Sequence, residues 1–215
     1  MKLKKVLGLV LAGALLSGVA AVAACGTSDA GGVQKYVMEA EYINLDGVSG
    51  AGVSSDQSGV EMIYGDGTQA QKDLGWSNGY YVGYTYASNL TLEFVFNADV
   101  AGTATIVLRL GSEIGDISLD PTNFAVKLNG ENVTYSNMYV ENSLMEEMKF
   151  YDKTVSTTAN LKAGENKLTL TVLTNNLVNG AKTGGPCVDC VIIETASKLT
   201  WTDKTENPDR RGAIE

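Results

Sequence analysis

The stretch Tyr36-Val37-Met38-Glu39-Ala40-Glu41-Tyr42-Ile43 places two acidic residues inside an otherwise hydrophobic segment. Its β-branched and aromatic residues, without Gly or Pro, predict a β-strand. Because side chains alternate between the two faces of a strand, Glu39 and Glu41 are expected on the same face, about 7 Å apart. From the residues alone, this pair fits an edge strand with a solvated acidic face, a pair of glycosidase acids, or a site for an oxygen-binding cation such as Ca²⁺.

Composition and charge narrow the function classes. The chain has 215 residues, 44% of them hydrophobic, and contains no histidine. The lack of imidazole excludes Ser-His-Asp catalysis, Cys-His catalysis and histidine-ligated metal sites. The formal net charge is −9, from 16 basic and 25 acidic residues. Such a surface repels nucleic acid and anionic lipid headgroups, so no nucleic-acid partner is expected.

Residues 1–24 have the pattern of a secretory signal peptide, with three lysines before an apolar run rich in small residues. The run ends in Val22-Ala23-Ala24-Cys25, which resembles a bacterial lipobox with Cys25 as the lipidated residue. Residues 25–35 would then form the lipidated end and a flexible tether. The alternative is an uncleaved transmembrane anchor, although the run is near the lower length limit for a span. The expected location is extracytoplasmic, with the N-terminal lipid holding the chain to the bacterial cell membrane.

The body of the chain has the pattern of β-strands and turns. Hydrophobic and polar residues alternate with a period of two in the segments 90–97, 104–110 and 168–172, which predicts strands with one face in a core. Leu128-Asn129-Gly130-Glu131-Asn132-Val133 predicts a tight hairpin in which Asn-Gly supplies positive φ. The sequence therefore predicts an all-β protein, a single-domain antiparallel β-sandwich over residues 36–196, followed by a polar tail over 197–215.

Two segments interrupt this rhythm. Residues 54–79 are Gly-rich and acidic and contain Trp76, and residues 136–149 have the composition to hold one short helix. Connections of this length in a sandwich either bind a ligand or cover an open end of the core.

A series of short motifs, in order and at consistent spacing, resembles carbohydrate-binding modules of families 6 and 35, which are β-jelly-roll sandwiches. The resemblance extends from about residue 36 to residue 194. The motifs are Glu39-Ala40-Glu41, Asn78-Gly79-Tyr80-Tyr81-Val82-Gly83-Tyr84, Ala101-Gly102, Lys127-Leu128-Asn129-Gly130, Asn160-Leu161-Lys162-Ala163-Gly164-Glu165-Asn166-Lys167-Leu168 and Gly184-Gly185-Pro186-Cys187-Val188-Asp189.

The resemblance implies a structural calcium and a sugar site. In the family, two acids of the first strand and an aspartate of the last strand help to hold calcium, which here correspond to Glu39, Glu41 and Asp189. Sugar contacts in the family commonly use aromatic rings on loops at one end of the sandwich, although some of these rings are expected to be core. The candidates by position are Trp76, Asn78, Tyr81, Tyr84, Phe150 and Tyr151.

Cys187 departs from the family pattern, in which an asparagine at this position often bonds a sugar hydroxyl. A thiol is a poor hydrogen-bond partner, so the sugar site would be rebuilt, displaced or lost. Cys187 and Cys190 form a Cys-x-x-Cys pattern within a predicted strand, where residues three apart face opposite sides and cannot form a disulfide. Cys190 is therefore expected to be a buried free thiol, and zinc would need two more ligands in a chain without histidine.

The predicted function is non-catalytic binding of polysaccharide or oligosaccharide at the cell surface, beside glycan-degrading enzymes carried by other chains. One rival is a small glycan-active enzyme that draws an acid pair from four loop residues, although nothing in their spacing marks such a pair. The second rival is a protein–protein or adhesion module on the same fold, because a fold alone does not set a function. The four loop acids are Glu113, Asp116, Glu146 and Glu147.

Overall fold

The computed structural model describes residues 32–51, 56–174, 177–178, 181–182 and 185–205. The predicted leader, the lipidation residue Cys25 and the end of the polar tail lie outside these residues. Within them, the helical elements are α1 (Gln69–Asp73) and the 3₁₀ turns Ala40–Tyr42, Gly59–Met62 and Met145–Glu147. The strands are β1 (Gln34–Glu39), β2 (Ser49–Ala51), β3 (Asp56–Ser58), β4 (Ile63–Gly65), β5 (Tyr80–Val82), β6 (Thr91–Ala98), β7 (Gly102–Gly111), β8 (Ile117–Leu119), β9 (Phe124–Leu128), β10 (Glu131–Asn132), β11 (Met138–Val140), β12 (Tyr151–Leu161), β13 (Gly164–Val172), β14 (Leu177–Val178), β15 (Ala181–Lys182), β16 (Cys187–Thr195) and β17 (Leu199–Trp201).

Two antiparallel sheets form the body of the fold. The first has the strand order β12-β7-β16-β5-β4, and β1 also pairs with β16. The second has the order β10-β9-β13-β6-β17. The predicted all-β antiparallel sandwich of jelly-roll type is confirmed. In the described part of the chain, no helix has the length and apolar character that crossing a membrane requires.

The main core lies between the two sheets and follows the predicted alternation. Leu92, Phe94 and Phe96 of β6 are buried in the same cluster as Ile106 and Leu108 of β7. Their neighbours in sequence point away from the cluster, as a period of two requires. Burial of each such side chain stabilises the fold by about 1.5–3 kcal/mol relative to exposure.

The first strand is shorter than predicted. β1 ends at Glu39, and Ala40–Tyr42 form a 3₁₀ turn in which the Ile43 N–H donates to the Ala40 carbonyl at 3.3 Å. Ala40 and Ile43 are both buried in the main core. A strand would send residues three apart to opposite faces, whereas a 3₁₀ turn brings them to the same side. The prediction of one strand through Ile43 was therefore wrong, because the core requires both side chains.

The last long strand, β16, contains an irregularity that positions the functional residues. Val188 pairs with Leu110 of β7 and Cys190 pairs with Arg109, so Asp189 is an extra residue with no partner on β7. Such a β-bulge puts two successive side chains on one face. Val188 and Val191 both lie in the main core, and the residues between them face the outer side of the sheet.

The predicted hairpin at residues 128–133 is confirmed. Asn129 and Gly130 have φ of 56° and 86°, and Leu128 pairs with Glu131 across the two-residue turn. Asn166, which is fully buried, supports this turn from β13. Its Oδ1 accepts from Asn129 Nδ2 and from the Lys162 N–H, both at 2.9 Å, and its Nδ2 donates to the Lys162 carbonyl at 2.8 Å.

Asn166→Ala should lower the free energy of unfolding by about 2–3 kcal/mol, because it removes the four hydrogen bonds that the buried Asn166 amide makes. Urea unfolding followed by tryptophan fluorescence measures the change. Asn160→Ala, on the exposed side of β12, is the matched control and should change stability little. Equal stability of the two variants would contradict a supporting role for Asn166.

Candidate functional site

An acid cluster lies on the outer face of the first sheet, where β1 meets β16. It consists of Glu39, Glu41, Asp189 and Cys190. Glu39 pairs in register with Cys190, the bulge turns Asp189 to the same side, and the 3₁₀ turn brings in Glu41. The carboxylate oxygens of Glu39 and Asp189 and the Cys190 sulfur all lie within 4.8 Å of one another. The structure thus brings together the acids predicted from the first and last strands.

Ser77 and Asn78, which follow Trp76, donate hydrogen bonds to the carboxylates of the acid cluster. The Ser77 N–H donates to both carboxylate oxygens of Asp189, at 3.0 and 3.2 Å, and the Ser77 hydroxyl donates to Glu39 Oε1 at 2.7 Å. Asn78 Nδ2 donates to Glu41 Oε1 at 3.1 Å. The side-chain amide of Asn78, a predicted sugar contact, therefore binds Glu41 instead. Ser77 was missed from the sequence, because a single serine in a long connection carries no signal.

The carboxyl groups of this cluster are poorly compensated. Glu39 Oε2 and Glu41 Oε2 are buried and have no hydrogen-bond partner among the described residues. Burial, together with the neighbouring charge of Glu39, raises the pKa of both Glu41 and Asp189 to about 8. Arg109 Nη1 is 3.8 Å from Asp189 Oδ2, but the Arg109 guanidinium is bound through Nε to Asp152 at 2.7 Å.

This donor set fits a calcium ion. Three carboxyl groups converge, two of their oxygens are buried without a partner, and Ca²⁺ prefers carboxylate oxygen ligands. A divalent cation would supply the positive charge that the surroundings give only in part. The interpretation of Glu39 and Glu41 as a solvated acidic face was wrong, because Glu41 is only 1% exposed.

Beside the acid cluster lies an aromatic cluster that forms a small second core on the outer face of the sheet. Its rings are Tyr64, Trp76, Tyr81 and Phe150. Trp76 and Tyr81 are 2% and 0% exposed, with ring centroids 5.1 Å apart in an edge-to-face arrangement. Tyr64 and Phe150 are half-buried and each lie 5.2 Å from the Tyr81 ring.

Trp76 and Tyr81 therefore do not offer a ring face to a sugar, and their predicted role as contact residues needs correction. The Trp76 indole N–H donates to the Met148 carbonyl at 2.7 Å, which fixes the ring beneath the surface. Its neighbour Ser77 is held by Asp189, so the indole is drawn inward. The two buried rings support Tyr64 and Phe150 instead. Tyr64 was missed, because its short strand β4 lies in a segment predicted as irregular.

A half-buried carboxyl group, that of Glu113, interacts electrostatically with this cluster. Glu113 follows the end of β7, and burial raises its pKa to about 7. Its negative charge raises the pKa of both Tyr81 and Cys187, so it lies within electrostatic range of the aromatic cluster. Glu113 Oε2 and the Tyr81 hydroxyl are buried and have no hydrogen-bond partner within the described residues. The carboxyl group of Glu113 therefore keeps unused hydrogen-bonding capacity near the aromatic cluster.

The remaining predicted residues lie near the aromatic cluster or away from it. Tyr84 is half-buried, with a φ of 57°. Tyr151 packs on the main core, and its hydroxyl donates to Glu141 at 3.1 Å, so it faces away from Phe150. Cys187 is a buried free thiol among the aromatic rings. Cys190 is also a buried free thiol, but it lies at the acid cluster. The free thiol predicted for Cys190 is confirmed.

The four acids of the enzyme hypothesis do not form a pair in the described structure. Asp116 accepts hydrogen bonds from the Tyr139 hydroxyl and the Asn142 N–H, which lower its pKa. The pKa of Glu113 is raised by burial, with no second carboxylate contributing. Glu146 and Glu147 lie on an exposed or half-exposed 3₁₀ turn. A glycosidase pair would couple two of these groups at about 5–9 Å.

A groove of about 640 Å³ runs along the outer edge of β12, away from both clusters. It is lined by residues 134–139 on one side and 152–158 on the other. Tyr139, which is 55% exposed, stands at one end. The groove offers mainly hydroxyl and amide groups.

No protein-family profile and no curated protein matches this chain. Solved structures do match. A family 35 carbohydrate-binding module from an environmental isolate is 14% identical, with a TM-score of 0.48 over 78% of this chain and 97% of that one. A family 35 module from Clostridium thermocellum is 17% identical, with a TM-score of 0.45 over 74% and 97%. A third structure, of Xyl-CBM35 in complex with a glucuronic acid containing disaccharide, is 11% identical, with a TM-score of 0.45 over 77% and 96%. The likeness concerns the fold.

The metal-free protein should lose stability as the pH rises from about 4 to about 8. Glu41 and Asp189 have a pKa near 8 in the folded state and near 4 in the unfolded chain. Between these values the folded state holds more protons, so the free energy of unfolding falls with pH. Thermal unfolding in EDTA should show a decrease in Tm of more than about 5 °C, since 1 kcal/mol corresponds to roughly 2–4 °C at this size.

Glu41→Gln removes one of the titrating groups and should flatten this decrease. Glu131→Gln, at an exposed position of β10, should leave it unchanged. A Tm that is constant or rises between pH 5 and pH 8 in EDTA would show that the carboxyl groups are already compensated by the protein.

Proposed function

We propose that this chain is a non-catalytic carbohydrate-binding module whose glycan site is the aromatic cluster together with Glu113. The observation that carries the proposal is the pair of half-buried rings, Tyr64 and Phe150, on a cluster whose Tyr81 interacts electrostatically with the carboxyl group of Glu113. The sequence resemblance to carbohydrate-binding modules of families 6 and 35 supports the same class of ligand.

The chemistry of the site suits a pyranose. An aromatic ring packs on the C–H face of a sugar, and a few polar groups fix its hydroxyls. Tyr64 and Phe150 provide the rings, and Trp76 and Tyr81 hold them from below. Glu113 would take a sugar hydroxyl, because its carboxyl group has unused hydrogen-bonding capacity. Glu113 thereby supplies the polar contact that Cys187 cannot.

We also propose that a structural calcium stabilises the module, held by Glu39, Glu41 and Asp189. When bound, the ion supplies positive charge to carboxylates that are buried together. The chain's own residues do the rest: Ser77 and Asn78 orient the carboxylates, and β1 and β16 bring them into one place. Because Ser77 follows Trp76 directly, order at the acid cluster supports the ring beneath the glycan site.

The proposed location is the outer side of the bacterial cell membrane, with the lipid carried by Cys25. This part of the proposal rests on the sequence of residues 1–25. A lipid-held module with a glycan site would keep polysaccharide near the membrane, where glycan-degrading enzymes carried by other chains could act on it. Stable anchoring of this kind takes more than one acyl chain.

A glycan array and pull-down on insoluble polysaccharides should detect binding without release of reducing ends. Phe150→Ala and Tyr64→Ala should each weaken binding at least about tenfold, equivalent to about 1.4 kcal/mol, because each removes a ring face. Glu113→Gln should also weaken binding. Isothermal titration with the best glycan of the array measures these changes.

Tyr139→Ala is the matched control, since Tyr139 is an exposed ring that lines the groove along β12 and is not part of the aromatic cluster, and it should bind as the unaltered chain does. Loss of binding in this variant, with retention in Phe150→Ala, would move the site to the groove along β12. Release of reducing ends would favour the enzyme. Absence of any glycan signal would favour a protein-binding module.

Calcium should raise the Tm of EDTA-treated protein by roughly 5–10 °C at about 100 times Kd, which corresponds to about 2.7 kcal/mol. Differential scanning calorimetry measures the increase. Asp189→Asn should abolish it, whereas Glu131→Gln should preserve it. A Tm that does not respond to calcium in the unaltered chain would contradict the calcium part of the proposal and leave glycan binding to be judged separately.

A further inference from the structure

Cys190 adds a sulfur atom to the acid cluster. Its side chain is fully buried, and its sulfur lies within 4.8 Å of carboxylate oxygens of Glu39 and Asp189. The bulge in β16 produces this arrangement, because it turns Asp189 and Cys190 to the same face of the sheet. In a regular strand the thiol would point into the main core.

The other thiol of the described chain has different surroundings. Cys187 is buried against Trp76, Tyr81 and Met148, where aromatic and thioether groups surround it. The two cysteines therefore provide an internal comparison within one strand. Both are buried and free, but of the two only Cys190 belongs to the cluster of possible metal ligands found among the described residues.

A second observation indicates that this place is built for a cation. Glu41 is 1% exposed, and its Oε2 has no hydrogen-bond partner within the described residues. The Oε2 of the neighbouring Glu39 is buried and unpartnered in the same way. Buried carboxylate oxygens without partners are costly unless a cation or a proton satisfies them.

We propose that the acid cluster also binds a thiophilic divalent cation of the zinc and cadmium class, with Cys190 Sγ, Glu39 and Asp189 as ligands. The inference rests on the metal site of the proposed function and extends it to a different class of ion. Thiolate sulfur favours zinc-like metals over calcium. On binding, the S–H bond of Cys190 breaks, its proton passes to the solvent, and a sulfur–metal bond forms.

The distances allow this ligand set. Zinc–sulfur and zinc–oxygen bonds of about 2.3 and 2.0–2.2 Å place tetrahedral ligand atoms roughly 3.5 Å apart. The three atoms lie within 4.8 Å of one another without a metal, so shifts of about 1 Å in the positions of the ligand atoms complete the site. Glu41 Oε2 is a further buried donor. The zinc ligands that the Cys-x-x-Cys pattern lacked are thus carboxylates from β1 and β16, not histidines.

Cadmium titration of the full chain tests the proposal, because a cadmium–thiolate bond gives a charge-transfer absorption in the ultraviolet. The titration uses detergent-solubilised protein with Cys25→Ser in every variant, so that Cys187 and Cys190 alone report. The unaltered pair should give an absorption that saturates at one ion per chain. Cys190→Ser should abolish the absorption and weaken cadmium binding at least tenfold, whereas Cys187→Ser should retain both.

Far-ultraviolet circular dichroism checks that each variant folds, and Cys190→Ala replaces Cys190→Ser if the latter does not. Absence of the absorption in the unaltered pair, or its loss in Cys187→Ser alone, would overturn the proposal. A calcium-dependent rise in Tm without a cadmium–thiolate band would contradict this inference and leave the proposed calcium site standing. A band without any calcium response would support this inference and remove the calcium part of the proposed function.

Discussion

The convergence of three carboxyl groups where β1 meets β16 is the constraint on which the rest of the outer face depends. Each buried carboxylate costs several kcal/mol unless it is paired. The chain meets part of this cost with hydrogen bonds from Ser77 and Asn78, and part with the partial approach of Arg109. Those bonds fix the segment after α1 against the sheet. The same segment carries Trp76, so the electrostatics of one cluster determine the packing of the other.

The aromatic cluster divides its rings between two tasks. Trp76 and Tyr81 are buried and fill the space between the segment and the sheet, as a second core would. Tyr64 and Phe150 stay half-buried above them. A contact surface built on such a support is held in place before a ligand arrives, which reduces the ordering cost of binding. Glu113 at its side provides polarity where the rings provide shape.

The sequence predicted the fold well, because two-residue alternation and an Asn-Gly turn report directly on strands and hairpins. It also predicted that Glu39, Glu41 and Asp189 would converge, through motif order. It could not predict the 3₁₀ turn at Ala40–Tyr42, since competition for the core decides that turn. The sequence also could not predict which aromatic residues are exposed. Trp76, for example, is held in a buried position by a hydrogen bond to Met148, 72 residues away in the chain. A local sequence pattern does not predict such a long-range contact.

The bulge in β16 has a consequence beyond the site. On its C-terminal side, Val191 and Ile193 face the main core, whereas Glu194 is half-buried on the other side. If all residues were kept and the bulge were straightened into a regular ladder, the two sets would exchange, so that Glu194 would point between the sheets. The extra residue therefore shifts the alternation of the strand by one position, so that Val188 and Val191, three residues apart, both face the interior. A one-residue deletion at the bulge would leave Val191 and Ile193 facing the core, so its effect would fall on the acid cluster and not on the sandwich.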